Sequence, residues 1–336
     1  LPLVVEASAV AGGRDTAVLQ PSFTPDGRAV VYISDESGWG HLYCRDLATG
    51  AVAQLTSGDG EFGRPAWTQG MRNFAISPSG TITAVRSFRG FDRAVALKPG
   101  GELISVSGAA SEYTNLTSPA ASPVTEQVAL VASGGAQPPR LLVFDLAAGG
   151  PPSIRRRATS ETVPPSALSH PEPVSWPSFD GEPAHGIYFP PASDEFESTG
   201  PPPLVVLVHG GPTSQSLAQW HPQTQFLATR GYGVLQVNYR GSTGYGREYM
   251  LKLRESWGIY DVQDSKFGAQ SLAERGLADP SRLVIMGGSA GGFTVLQSLV
   301  EVPGFYKAGV CSFGVSNQFT LASDTHKFES RYLDSM

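Results

Sequence analysis

The chain has 336 residues, about twice the usual domain length, so two domains are the default expectation. It is 40% hydrophobic and 16% charged with a formal net charge of -6, a globular composition that argues against a nucleic-acid or anionic-membrane surface. No run approaches the roughly 18 apolar residues of a membrane helix, and Cys44 and Cys311 lie in segments of different character, so two reduced, packed thiols in a cytoplasmic protein are expected rather than a disulfide framework.

Residues 1 to about 165 are dense in turn signals and lack long helical periodicity. They also repeat. Phe23-Thr24-Pro25-Asp26-Gly27 precedes the strand-like Ala29-Val30-Val31-Tyr32-Ile33, and Ile76-Ser77-Pro78-Ser79-Gly80 precedes Thr81-Ile82-Thr83-Ala84-Val85. Leu42-Tyr43-Cys44-Arg45-Asp46-Leu47-Ala48-Thr49-Gly50 has a near copy in Leu141-Leu142-Val143-Phe144-Asp145-Leu146-Ala147-Ala148-Gly149. Repeats of about 50 residues with several short strands each are the signature of propeller blades. Residues 1–165 hold about three, fewer than the four to eight that usually close a propeller, so a partial β-propeller is expected, with further blades before Leu1. An irregular β-sandwich is the alternative. The basic run Arg155-Arg156-Arg157 reads as a solvated stretch near the interdomain region.

A Pro-rich passage from Gly149-Gly150-Pro151-Pro152 to Pro173 marks a connector. The stretch from Val174 to Phe189 reads as a hairpin turning at Asp180-Gly181 and opening the second domain, 166–336. Buried strands then alternate with helices: Leu204 to Val208, a helix around Gln225 to Arg230, Tyr232 to Asn238, a helix from Asp261 to Arg275, a strand over 282–286, a helix from Phe293, and Ala308 to Ser312. Continuous apolar strands separated by helices predict a parallel sheet covered on both faces.

Gly287-Gly288-Ser289-Ala290-Gly291, directly after Leu283-Val284-Ile285-Met286, reads as G-x-S-x-G at a strand-to-helix turn. Such a turn exposes a serine hydroxyl to a base and an oxyanion hole, and the small residues Gly287, Ala290 and Gly291 let strand and helix backbones approach. With the alternating pattern this predicts an α/β-hydrolase domain. In that fold one oxyanion donor is the N–H after the nucleophile, here Ala290, and the other comes from a Gly-rich loop after an earlier strand, here His209-Gly210-Gly211-Pro212.

These two motifs, with Asn238-Tyr239-Arg240-Gly241-Ser242-Thr243-Gly244-Tyr245-Gly246 between them and a propeller in front, resemble the prolyl oligopeptidase family of serine peptidases, in its acylaminoacyl-peptidase and dipeptidyl-peptidase-like branch. The resemblance covers about residues 170 to 336, and the propeller only loosely. It implies that Ser289 is the acylating serine and that Gly211 and Ala290 are the backbone oxyanion donors. His209 stands where other branches carry an oxyanion tyrosine, while Arg240 and Tyr245 are read as scaffolding.

The chain order of this fold is Ser, then Asp or Glu, then His, on loops that need at least two more βα units of about 30 residues each. Too few residues follow Ser289, so the catalytic Asp and His are expected outside this chain, which would be a fragment without activity of its own. Asp324 and His326 are read as surface or substrate-rim residues, and His170, His185 and His221 have no helpful spacing. No cofactor and no metal site is expected. The expected partners are short peptides, and a homo-oligomer is possible. The competing functions are a carboxylesterase, which the propeller argues against, and a non-catalytic binding protein.

Overall fold

The computed structural model describes residues 9–13, 15–67, 69–106, 111–197, 199–325 and 331–335. Three four-stranded antiparallel sheets come first. They are β1 (Val18–Phe23), β2 (Ala29–Ser34), β3 (His41–Asp46) and β4 (Val52–Gln54); β5 (Phe74–Ile76), β6 (Ile82–Phe88), β7 (Phe91–Leu97) and β8 (Leu103–Ser105); and β9 (Asn115–Ala121), β10 (Gln127–Gly134), β11 (Gln137–Asp145) and β12 (Ser153–Arg157). Each is a meander, the unit of a propeller blade.

The sequence repeats are repeated turns. Between β1 and β2, Gly27 N–H donates to Thr24 and Thr24 N–H to Ala29; between β5 and β6, Gly80 donates to Ser77 and Ser77 to Thr81. The turns after β3 and β11 are closed by an aspartate: Asp46 Oδ1 accepts from Ala48 and Thr49 N–H, and Asp145 Oδ1 from Ala147 and Ala148 N–H. In both, a glycine of positive φ, Gly50 or Gly149, completes the reversal.

The sheets stack face to face. Val31, Ile33 and Leu42 of the first pack with Phe74, Ile82 and Val95 of the second. Val85 and Ala94 on the other face of the second meet Leu116, Leu130 and Leu142 of the third. β6 is therefore buried along most of its length, whereas β12, with Arg155, Arg156 and Arg157, is an exposed edge.

The rest of the chain forms a six-stranded sheet in the order β13-β14-β16-β15-β17-β18, with β13 (Glu172–Pro177), β14 (Pro183–Phe189), β15 (Leu204–Val208), β16 (Gly233–Asn238), β17 (Leu283–Gly288) and β18 (Ala308–Ser312). The hairpin expected before the parallel strands is present, but it joins the sheet: β14 pairs antiparallel with β16, and only β16, β15, β17 and β18 run parallel. Helices α1 (Pro222–Ala228), α2 (Arg247–Leu251), α3 (Tyr260–Glu274), α4 (Ala290–Glu301) and α5 (Gln318–Asp324) follow the strands.

Neighbouring side chains on these strands serve different cores, as the twofold period requires. Val206, Leu235 and Ile285 sit with Trp176, Leu272 of α3 and Val295 of α4. Val205 and Val234 face the other way, joining Ile187, Phe189, Ala218 and the propeller's Phe91. The expectation of two packed thiols needs one correction. Cys311 lies on β18, which has a strand on one side only among the described residues, and it is exposed, while Cys44 is partly buried.

All three blades touch the second unit. Arg247 pairs with Asp35 at 2.6 Å and its N–H donates to Gly38; Gly90 accepts from Ala218 N–H at 2.8 Å; Gly135 accepts from Gln225 Nε2 at 2.8 Å. Among the described residues no helix is long and apolar enough to cross a membrane.

Candidate active site

Ser289 stands between the last residue of β17 and the first of α4, with φ 54° and ψ -124°. A residue with a side chain is seldom found there, and such strain persists only where the surroundings enforce it. They do so through glycines. A Cβ on Gly291 would lie 2.3 Å from the Val208 carbonyl oxygen at the end of β15, and one on Gly287 would lie 2.4 Å from the Gly291 carbonyl oxygen. Strand and helix thus meet at backbone contact, and the serine is left standing out of the turn. Its N–H donates to the Ser312 carbonyl and its own carbonyl accepts from Phe293 and Val315 N–H, so both sides of the peptide are held.

The loop after β15 lies against this elbow. A Cβ on Gly210 would sit 3.3 Å from Ser289 Cβ and 3.1 Å from the Gly288 carbonyl oxygen, so Gly210 keeps the loop close. Gly211 follows at φ +128°. Gly211, Ser289 and Ala290 line one small cavity of about 40 Å³, together with Trp257 and Tyr332. Ala290 opens α4, so its N–H has no carbonyl one turn earlier to bond, and the helix end adds its positive dipole there. The cavity thus brings Gly211 and the N-terminal residue of α4 to the side of Ser289.

His209 is bound up in shaping the loop. Its Nδ1 lies 2.8 Å from its neighbour's carbonyl, Gly210 O, which can only accept, so Nδ1 carries the proton. Nε2, 2.8 Å from Ser242 Oγ, then accepts from that hydroxyl. Burial pushes the imidazole down to about 4, so it is neutral at pH 7, and it stacks on Tyr239 at 4.5 Å. His209 therefore holds the Gly210 peptide in place rather than acting as a base on Ser289. The other described imidazoles are engaged elsewhere: His41 with Thr56, His185 with Ser175 and His221 with Thr224, while His170 lines a pocket beside Phe91 and Pro171. His326 and the side chain of Asp324 lie outside the described residues.

The Asn238 to Gly246 segment braces the site from behind. Arg240 is fully buried; it reaches Asp264 of α3 at 2.7 Å and Asp180 of the β13–β14 turn at 2.5 Å, and lies over the Tyr260 ring at 4.2 Å. Tyr245 accepts a hydrogen bond on its hydroxyl oxygen from Asn238 Nδ2 at 2.9 Å and stacks on His185 at 4.7 Å. Below the elbow, Asp261 accepts from Thr294 Oγ1 and from Gly258 N–H, and burial pushes its carboxyl up to about 6.

Three wall residues were not visible in the sequence. Trp67, on a propeller loop, donates its indole N–H to the Thr213 carbonyl at 3.0 Å and lines a second pocket with Gly210, Gly211, Ser214 and Ser289. Tyr332 accepts from Thr213 N–H at 2.8 Å and meets Trp67 edge-on. Trp257 closes the cavity from the loop before α3. Each is remote from the motifs in the chain and carries no local signal.

Known proteins share this fold. The model of the prolyl oligopeptidase family matches residues 218–336. Dipeptidyl aminopeptidase BIII of Pseudoxanthomonas mexicana is 34% identical over 145 residues, which are 43% of this chain and 21% of that protein. The acylamino-acid-releasing enzyme of Rattus norvegicus is 32% identical over 225 residues, 58% of this chain and 30% of that protein. A solved puromycin hydrolase superposes with a TM-score of 0.89 at 36% identity, over 97% of this chain and 49% of its own. A puromycin-hydrolyzing peptidase of Mycobacterium tuberculosis gives 0.89 at 33%, over 96% and 49%. The chain thus spans half or less of the length of these relatives. With a propeller set before an α/β-hydrolase sheet, the chain is similar to these peptidases, and the prolyl oligopeptidase family pattern matches its residues 218–336, which include the elbow.

Proposed function

We propose that Ser289 is the acylating nucleophile of a serine peptidase that cleaves short peptides. The observation that carries this is the strained Ser289 held at backbone contact with the Gly210-Gly211 loop, above the free end of α4. Ser289 Oγ attacks the scissile carbonyl, and the N–H groups of Gly211 and Ala290 receive the oxygen as it gains charge. The amine then leaves with the proton that the base took from Ser289, and water releases the acyl group. Two such donors are worth several kcal/mol of barrier, by comparison with the roughly 2.7 to 4 kcal/mol lost with one.

The substrate class rests on two supports. The relatives' names speak of dipeptidyl aminopeptidase, acylamino-acid release and puromycin hydrolysis. The propeller's Trp67 also stands at the serine, so the reacting carbonyl must come in past a propeller loop, which suits a short peptide better than a folded protein. Among the described residues, none of the hydrogen bonds made by His41, His185, His209 and His221 reaches Ser289, so the base is assigned to none of them. The reduced thiols suit a cytoplasmic setting.

Peptide anilides compared with short acyl esters on the complete protein test the reaction class. Hydrolysis of the anilides, abolished by Ser289→Ala, is expected. Turnover of esters alone would make it an esterase.

A further inference from the structure

Asp261, at the start of α3, is fully buried, and no salt bridge reaches it among the described residues. Its Oδ2 accepts from Thr294 Oγ1 at 2.5 Å and its Oδ1 from Gly258 N–H at 2.7 Å. Both partners lead to the serine. Thr294 stands one turn after Ala290 on α4, and the same hydroxyl lies 3.3 Å from the Ala290 carbonyl oxygen. Gly258 directly follows Trp257, which walls the small cavity together with Ser289 and Ala290. The residues beside the two partners close a ring. Trp257 and Phe293 meet with ring centroids 4.8 Å apart, and a Cβ on Gly258 would lie 3.1 Å from the Phe293 ring. Asp261 therefore ties the first turn of α4 and the Trp257 wall to one point on α3.

This tie works against the fold's stability. Burial, opposed by the bonds from Thr294 and Gly258, holds the carboxyl up at about 6, and the charge of Asp264 adds to the rise. The one cation close to that pair, Arg240, is engaged by Asp264 and Asp180. At pH 7 Asp261 is thus ionised at a cost in stability. An amide in its place would remove that cost, but it would donate to Thr294 and turn the hydroxyl's proton toward the Ala290 carbonyl, exchanging a charge-assisted bond for a longer neutral one. A carboxylate that weakens the fold, with both its bonds running to the surroundings of the serine, is placed as functional groups are.

We propose that Asp261 is a positioning residue of the reaction: through Thr294 and Gly258 it sets the first turn of α4, with the Ala290 N–H, against the Trp257 wall of the serine cavity. The proposal rests on the peptidase reading, since Ala290 matters as an oxyanion donor.

The complete protein and its variants are compared by the rate of fluorophosphonate labelling at Ser289 and by kcat and KM on a peptide anilide. Asp261→Asn and Thr294→Val should each lower the labelling rate and kcat about tenfold, with KM within about twofold, a part of the roughly hundredfold that an ångström of misplacement can cost. The double variant should lie within about twofold of the slower single one, because both changes break the same tie. Thr294→Ser, which keeps the hydroxyl, should recover the parent rate to within about twofold. Asp261→Asn should also resist urea at pH 7 at least as well as the parent.

A residue that only holds the fold would give the reverse, lost stability with kcat of the folded protein unchanged. That result would overturn the proposal, as would a raised KM at unchanged kcat, losses that multiply in the double variant, or Thr294→Ser as slow as Thr294→Val. A parent protein that is neither labelled nor active on the anilide refutes the peptidase reading and the positioning role together. A parent that reacts, with variants reacting as fast, removes the positioning role alone.

Discussion

The two units of this chain solve the same problem, holding strands together, by opposite means. In the propeller each sheet is closed by local turns, and the turns after β3 and β11 use the same aspartate and glycine positions. In the hydrolase the decisive contacts are distant in sequence: Arg240 with Asp180 and Asp264, Gly291 with Val208, Asp261 with Thr294. The propeller is thus built largely from repeated local turns, whereas the hydrolase ties distant segments of chain together behind one serine. Substitutions of the same chemical kind should therefore behave differently in the two units.

The largest contrast is expected between two ion pairs. Asp264→Ala leaves the Arg240 guanidinium, 1% exposed, without its main carboxylate, and should cost about 3 to 5 kcal/mol in urea unfolding. Glu102→Ala breaks the exposed Lys98–Glu102 pair of the propeller and should cost less than about 1 kcal/mol. Equal costs would break the comparison.

Glycines give the next contrast. Gly291→Ala drives a methyl into the Val208 and His209 carbonyl oxygens and should destabilise by about 3 kcal/mol, the upper end of overpacking costs. Gly27→Ala has open space, and its φ of +69° alone should cost about 1 to 2 kcal/mol.

Acidity should separate the buried carboxyl below the elbow from the propeller's turn aspartates by sign. Burial raises the Asp261 carboxyl from 3.8 to about 6. The folded state therefore holds this proton more tightly than the unfolded one. The stability it contributes is complete below about pH 4 and is lost as pH rises through about 6, a change of about 2 to 3 kcal/mol. The turn aspartates Asp46 and Asp145 are held low, by backbone N–H groups of Thr49 and Ala148 first, so their contribution is present at neutral pH and fades on acidification. Stability against pH in Asp261→Asn should lose the decline between about pH 4 and 6. Glu61 at the seam, pushed up to about 7 by burial, declines in an overlapping window, and Glu61→Gln is the control that separates them.

The same division governs what could be read from the sequence. Turn chemistry is local, so the repeats around Asp46 and Asp145 announced the blades. The elbow is local too: Gly287 to Gly291 must be small because strand and helix touch there, and Ser289 was found on that ground. The hairpin from Val174 to Phe189 was legible as a hairpin, but its antiparallel union with β16 was not, since register between distant strands leaves no mark in either. Cys311 was misjudged because an apolar strand does not say how many neighbours it has. Trp67, Trp257 and Tyr332 reach the serine from three separate loops, and His209 acts through the Gly210 carbonyl, a contact that only the folded loop supplies.

The central claim is that Ser289 is a nucleophile, made so by its elbow and the donors beside it. Fluorophosphonate labelling of the complete protein, followed by peptide mapping, tests it most directly. The account predicts one modified residue, Ser289, with no labelling in Ser289→Ala. A folded, complete protein that stays unlabelled, or is labelled at another serine, would contradict it.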